Sequence, residues 1–150
     1  MKLDRAKLIA LMEPTFTGHA YETDAKPALG SAPDAWKLSD CSGFVRWLLY
    51  GAECLNIPDG SVNQHDWAER RCLKQVKYSE VGPLEDSILR IAFMAPTFMA
   101  PTETEAGHVW LLCSGMTIEC HAPNGPSRRP WNTPVLLRNV AACYELGELT

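Results

Sequence analysis

Two residues whose side chains can act as nucleophile and base stand in settings that suit chemistry, Cys41 and His108. Cys41 follows Ser39 and Asp40, which are both good helix N-caps, so it falls in the first turn of a predicted helix. The unpaired backbone N–H groups there act as a partial positive charge, which favours a thiolate and can stabilise an oxyanion. Ser42 and the glycine after it are small, so a carbonyl can approach. This position therefore predicts nucleophilic attack by a thiolate.

The candidate base, His108, begins a predicted strand directly after Gly107. A histidine at a strand end serves as a base only where a nucleophile lies opposite it. The next predicted strand carries Thr117, Glu119 and His121 on one face, because side chains alternate along a strand. His121, or failing it Glu119, is thus the candidate that orients the imidazole of His108 and holds its useful tautomer.

The elements that must position these residues are predicted to be helices in the first half of the chain. Apolar residues at helical spacing predict helices over residues 3–13 and over residues 41–50, the second closed by Gly51. Ser61 and Gln64 have capping-box spacing, which predicts a third helix from Ser61 to about residue 71.

The second half is predicted to be strands. Apolar runs predict strands at residues 88–93, 107–113 and 116–121, the last two forming a hairpin, and one or two more within residues 135–146. The loop Met94–Ala106 holds a near-repeat with prolines, and we consider it either a lid over the site or a surface insertion. Helices followed by antiparallel strands predict an α+β class, and the length suits one domain, residues 1–150.

Composition excludes some classes of function. A net charge of -4 and a pI of about 5.5 argue against nucleic-acid binding. The pair Arg128-Arg129 is too short to change that, although it could meet an acidic group of a substrate. No run approaches the ~20 apolar residues of a membrane span. Charged residues interrupt the first 14 positions, so we expect synthesis in the cytoplasm without a signal peptide.

Six cysteines occur without a CxxC pair, and a cytoplasmic start favours free thiols. Cys54, Cys72 and Cys143 lie among apolar or helical residues, which predicts that they are buried. A zinc site built from Cys113, Cys120 and His121 lacks a fourth ligand at the usual spacing. We therefore expect no metal and no cofactor.

The hexapeptide from Asp40 to Val45, Asp-Cys-Ser-Gly-Phe-Val, resembles the nucleophile motif of the NlpC-like cell-wall peptidases, which have a papain-like fold. Gly107-His108-Val109 is similar to the histidine strand of that family, and residues 118–122 to the strand that carries its third polar residue. Tyr21 and Gln64 also resemble residues of the family at corresponding places. The matches cover about residues 18–125.

The resemblance implies a papain-like fold with N-terminal helices packed on a C-terminal antiparallel sheet. It also implies cleavage of an amide bond in the stem peptide of peptidoglycan, most typically between D-glutamate and a diamino acid. The Cys41 thiolate would attack and form a thioester, His108 would carry the proton, and His121 would be the third catalytic residue. The candidate substrate-binding residues are Tyr21, Ser42, Glu119 and Arg128.

Other functions remain open at this point. The same Cys-His pair serves papain-like acyltransferases, in which an amine or lipid replaces water as acceptor. A catalytically dead phage or wall-binding module is a third alternative. The lack of a leader also resembles amidase effectors of type VI secretion and phage-borne wall hydrolases. These imply action at the cell wall after non-classical or phage-mediated delivery and, for a secreted effector, an immunity protein as partner.

Overall fold

The structure, a computed structural model, describes residues 1–96 and 107–150. Within them the helices are α1 (Arg5–Met12), α2 (Cys41–Glu53), α3 (Ser61–Arg70), α4 (Tyr78–Val81) and α5 (Pro134–Asn139). The strands are β1 (Lys2–Leu3), β2 (Ala20–Tyr21), β3 (Leu38–Ser39), β4 (Gln75–Val76), β5 (Ile88–Met94), β6 (His108–Cys113), β7 (Met116–His121), β8 (Gly125–Ser127) and β9 (Val140–Leu149). Two 3-10 turns occupy Glu13–Phe16 and Pro33–Ala35.

The main sheet of the described chain has the strand order β1-β9-β5-β6-β7-β8, and β4 pairs with β9 beside it. Neighbours from β9 to β8 run antiparallel, with Ile91 opposite Leu111 and Leu111 opposite Ile118. Two pairs are parallel, β1 with β9 and β2 with β3. The α+β class is confirmed, but the sheet is mixed because the short first strand joins β9 in parallel.

The two faces of the sheet are both covered by apolar side chains. Val109 and Leu111 belong to a cluster that includes α1 and α2, whereas Trp110 and Leu112 belong to a second cluster with Tyr78 of α4. Alternation along β6 explains this division. The helix that carries Cys41 is therefore fixed against one face of the sheet by a buried apolar layer.

The predicted stripe on α2 is confirmed, since Phe44, Val45 and Leu48 are fully buried. The helix does not end at Gly51 but continues to Glu53, and Cys54 ends it in the left-handed conformation. Gly51 instead makes room for α1, because a Cβ there would lie 2.7 Å from a methyl carbon of Leu11.

The third helix begins at Ser61 as predicted, but no capping box forms. Gly60 is the N-cap and provides no side-chain hydrogen bond. The amide of Gln64, which is fully buried, donates to the carbonyls of Ser42 (3.0 Å) and Pro58 (2.9 Å). Gln64 therefore ties α3 to the first turn of α2.

The segment predicted as strands over residues 135–146 is a helix followed by a strand. Pro134 occupies the start of α5, where its fixed φ and missing N–H suit a helix. The predicted hairpin turn is confirmed, because Ser114 and Gly115 both have positive φ, 50° and 77°.

All six cysteines are free thiols. Cys143 is buried as predicted, but the prediction was wrong for Cys54 and Cys72, which are exposed. Both have positive φ, 55° and 52°, just after α2 and α3, so the chain turns away from the core there and carries the thiols to the surface.

Candidate active site

Cys41 occupies the first position of α2, and its N-cap is Asp40, as the sequence predicts. The Asp40 carboxylate accepts a hydrogen bond from the backbone N–H of Gly43 at 2.8 Å. The thirteen-residue helix directs its N-terminal N–H groups toward this tip. Cys41 is 9% exposed, so it lies at the edge of the core.

The loop before α2 lies close against this tip. The N–H of Asp40 donates to the carbonyl of Ala25 at 2.9 Å. A Cβ on Gly43 would lie 3.0 Å from that carbonyl oxygen and 2.9 Å from Asp40 Oδ1, so glycine is required for this close approach. The parallel pair β2–β3 places Tyr21 beside Ser39, near the nucleophile.

The half-buried Tyr21 lies close enough to Cys41 for the charge of Cys41 to act on the pKa of its phenol. Burial, and then the charge of Cys41, raise the pKa of the Tyr21 phenol to about 12. The phenol therefore keeps its proton at neutral pH and can donate a hydrogen bond.

His108 is the first residue of β6, and the structure brings it to Cys41. The side chain is 1% exposed, and its imidazole hydrogen-bonds to the Cys41 thiol. Its Nε2 atom lies 2.8 Å from Glu119 Oε1. The sulfur, imidazole and carboxylate thus form one connected set.

The electrostatics of His108 favour its charged form. Burial alone would lower the pKa of the imidazole, but the hydrogen bonds to Cys41 and Glu119 outweigh it and raise the pKa to about 9. His108 therefore keeps its proton at neutral pH and places a positive charge beside the Cys41 thiol.

Glu119, which is fully buried, is held on its other side by Arg129. The Arg129 guanidinium donates through Nε to Oε2 (2.9 Å) and through Nη2 to Oε1 (2.7 Å), a bidentate pairing. Burial would raise the pKa of Glu119, but the hydrogen bonds from His108 and Arg129 lower it to about 2. The carboxylate therefore stays charged and fixes the imidazole.

An aromatic side chain supports the imidazole from the same strand. The rings of His108 and Trp110 stack with centroids 5.4 Å apart and planes 21° apart. Tyr78 packs edge-on against Trp110, and its hydroxyl donates to the carbonyl of Trp131. An indole face next to an imidazolium stabilises the charge and restricts rotation of the ring.

His121, predicted as the third catalytic residue, lies at the end of β7 and is 5% exposed. Its Nδ1 is 3.2 Å from the carbonyl oxygen of Ala122. Glu119, which the sequence offered as the competing candidate, bonds directly to Nε2 of His108. The geometry therefore favours Glu119 for orienting His108.

The structure does not bring Arg128 to Cys41. The Arg128 guanidinium donates to the carbonyls of Thr117 (3.0 Å) and Cys113 (3.3 Å), near the hairpin turn. It lines a cavity of about 160 Å³ between the sheet and α1. These contacts tie the chain after β8 to the hairpin, and binding of a substrate carboxylate by Arg128 stays a prediction.

Ser42 is also engaged inside the protein. It is 3% exposed, its hydroxyl accepts a hydrogen bond from Lys26 Nζ at 2.8 Å, and its carbonyl accepts from Gln64. Ser42 therefore connects the tip of α2 to Lys26 and Gln64, and its role in substrate binding stays a prediction.

Sequence reasoning missed the roles of two residues. Arg129 was considered only together with Arg128, although a fully buried Glu119 needs a cation. No sequence pattern pointed to Lys26, because its contacts with Asp40 and Ser42 form only when the loop before α2 folds over that helix. The proposed lid falls largely on residues 97–106, which lie outside the described residues.

Among residues 1–96 and 107–150, no group of three or more His, Cys, Asp or Glu side chains is arranged to hold a metal ion. In the same ranges no helix combines the length and the apolar character that crossing a bilayer requires.

The fold is that of the NlpC/P60 papain-like proteins. Among solved structures, a lipoprotein-like protein of the NLP/P60 family from Staphylococcus aureus matches with a TM-score of 0.60 and 15% sequence identity. The match covers 96% of this chain and 42% of that chain, so this chain spans less than half the length of its neighbour. No protein-family model and no curated protein matches the sequence. The likeness establishes the fold, including helices packed on a curled mixed sheet.

Proposed function

We propose that the protein is a cysteine hydrolase that cleaves an amide bond in the stem peptide of peptidoglycan, between D-glutamate and a diamino acid. The observation that carries this proposal is the connected set of side chains from Cys41 through the buried His108 and Glu119 to the partly buried Arg129. The fold likeness to an NLP/P60 protein supports the substrate class. We propose accordingly that the protein acts at the cell wall.

The proposed chemistry starts from a thiolate on Cys41 and a protonated imidazole on His108. The Cys41 thiolate attacks the carbonyl carbon, and His108 donates its proton to the nitrogen of the leaving amine as the C–N bond breaks. A thioester remains on Cys41. Water then gives a proton to His108 and attacks the thioester carbon, which releases the acid and restores the thiolate–imidazolium pair.

Developing negative charge on the carbonyl oxygen needs donors that are already in place. The backbone N–H of Cys41 at the tip of α2 supplies one, and the Tyr21 hydroxyl, which stays protonated because its pKa is about 12, supplies a second. Loss of one such donor raises the barrier by on the order of 2.7–4 kcal/mol.

Glu119 is the orienting residue of this proposal. Because its carboxylate accepts from His108 Nε2, it fixes the orientation of the ring and keeps a proton on Nε2. His121, two residues further along β7, stays a prediction as the alternative third catalytic residue.

Digestion of purified peptidoglycan tests the proposal. The wild-type protein should release soluble fragments whose masses identify the severed bond, and Cys41→Ala should release none while melting normally. Cys54→Ala, which removes an exposed thiol after the same helix, should digest as the wild type does. Equal digestion by Cys41→Ala and the wild type would disprove the proposal. Adding an amine acceptor separates hydrolysis from acyl transfer, since only transfer yields an amine adduct.

A further inference from the structure

A lysine from the loop before α2 contacts the residues on both sides of Cys41. Lys26 Nζ lies 2.5 Å from Asp40 Oδ2 and 2.8 Å from Ser42 Oγ. The side chains of Lys26 and Asp40 are 29% and 9% exposed, so water screens the pair only partly. We propose that Lys26 is a positioning residue, whose ammonium neutralises the cap carboxylate and thereby permits a thiolate on Cys41. The inference rests on the proposed function in taking Cys41 as nucleophile.

The stem of Lys26 is held in place by the same close packing that requires Gly43. A Cβ on Gly43 would lie 3.1 Å from Lys26 Cδ and 3.0 Å from the Ala25 carbonyl. The Asp40 N–H donates to that carbonyl. The lysine stem therefore lies over the first turn of α2. Because packing already restricts the stem, the ammonium loses little further side-chain freedom when it pairs with the cap carboxylate.

The cap creates the need for this cation. Asp40 stabilises α2 by accepting from Gly43 N–H, but it also places a negative charge one residue from Cys41. A carboxylate so close opposes a second negative charge on sulfur. Lys26 cancels the carboxylate charge while the cap hydrogen bond through Oδ1 remains, since it binds Oδ2.

None of the other titratable groups described as acting on Cys41 neutralises the Asp40 carboxylate. Burial raises the pKa of the Tyr21 phenol to about 12 and raises the pKa of the Cys120 thiol well above its usual range, so both groups stay neutral in the working range. His108 contributes its own positive charge, and behind it the Glu119 carboxylate is paired with Arg129.

Four variants separate charge from packing. Lys26→Met keeps the apolar stem and removes the charge, so Cys41 alkylation by iodoacetamide in mildly acidic buffer should slow by roughly tenfold. Lys26→Arg should stay within about threefold of the wild type. Asp40→Asn keeps a good cap and should react at least as fast as the wild type. The double variant Lys26→Met/Asp40→Asn has the wild-type net charge, and its rate should return toward the wild-type value.

The measurement is the rate of Cys41 alkylation against pH, read by peptide mass mapping, with the melting temperature of each variant recorded. A structural role would leave the double variant as slow as Lys26→Met, and that result would overturn the inference, as would an unchanged rate in Lys26→Met. If Lys26→Met fails to fold, Lys26→Arg and Asp40→Asn still test it, since alkylation of Asp40→Asn slower than wild type contradicts the charge argument.

Peptidoglycan digestion by the same proteins distinguishes this inference from the proposed function. Charge-dependent alkylation in a protein that digests nothing would leave the role of Lys26 intact and reject the hydrolase. Digestion that depends on Cys41 but is equal, in rate and pH profile, for wild type and Lys26→Met would retain the hydrolase and reject the role of Lys26.

Discussion

His108 lies between a thiol and a carboxylate, and each neighbour stabilises its protonated form. Burial on its own would favour the neutral ring, yet the two hydrogen bonds bring the pKa to about 9. Burial cannot be offset in this way by an exposed or mobile partner, because such partners are screened by water. Arg129 matters for that reason, since it keeps the fully buried Glu119 charged and in place.

Glu119→Gln tests this electrostatic role. Removal of the negative charge destabilises the imidazolium, so the pKa of His108 should fall and the alkaline limb of kcat/KM should move from near pH 9 to lower pH. We also expect kcat/KM to fall by about 10²-fold, because the imidazole loses its fixed tautomer. The measurement is a pH–rate profile of peptidoglycan cleavage.

Glu85→Gln is the matched control, because Glu85 is an exposed carboxylate and should leave the profile unchanged. An alkaline limb that stays in place in Glu119→Gln would show that the limb does not report His108.

Gly107, the residue just before His108, allows the chain to enter β6 in the conformation that places the histidine. Gly107 has φ of 79°, a left-handed conformation that favours glycine. A Cβ there would lie 3.0 Å from the carbonyl oxygen of Met94 and 3.1 Å from Ser61 Oγ. The glycine thus lets β5, β6 and α3 meet at the position of His108.

Gly107→Ala should therefore displace His108 as well as strain the backbone. We expect a loss of about 1–3 kcal/mol of unfolding free energy and a clear fall in kcat. Gly18→Ala is a matched control, since Gly18 has φ of 75° with no atom within 4 Å of the added Cβ. Denaturant unfolding measures the loss of stability in each variant, and kcat measures the loss of activity. Equal loss of activity in the two variants would contradict the positioning role of Gly107.

Local patterns predicted most of the elements that carry the site. The cap at Asp40, the apolar stripe of α2 and the hairpin at Ser114 depend on near neighbours in sequence, and the structure confirms them. Gly51 was wrongly predicted to end α2. A glycine is needed there because Leu11 of another helix packs against it, and the local sequence does not show that contact. Pro134 is typical of the first turn of a helix, but the apolar run after it was interpreted as a strand.

Choices that differ by one or two positions could not be predicted from the sequence. Glu119 and His121 share a face of β7, so alternation cannot separate them, and only the path of β7 beside β6 brings Glu119 to His108. Arg128 and Arg129 are adjacent, and the bridge between Met116 and Pro130 helps fix which one faces Glu119. These are long-range registers, which local propensity does not encode.

The two halves of the site come from distant parts of the chain and meet through the core. Cys41 belongs to a helix on one side of the sheet and His108 to a strand of the sheet itself. The apolar layer that includes Phe44, Leu48 and Leu111 fixes their separation. The stability of the whole molecule and the geometry of the site are therefore linked.

Leu48→Ala tests that link. Leu48 is fully buried, so truncation should cost about 2–5 kcal/mol of unfolding free energy and loosen α2 against the sheet. Leu84→Ala, at a leucine that is 44% exposed, should change stability by less than about 0.5 kcal/mol. Urea unfolding measures both. Similar costs for the two variants would contradict the packing of α2 described above.

Competition among the thiols of one chain tests the central claim, that Cys41 is activated by His108. Cys54 and Cys72 are exposed, whereas Cys41 is 9% exposed, so accessibility alone predicts that the two surface thiols react first. Limiting iodoacetamide followed by peptide mass mapping should instead place most of the label on Cys41, and His108→Ala should abolish that preference. Labelling of Cys41 no faster than Cys54 and Cys72 in the wild-type protein would contradict the account.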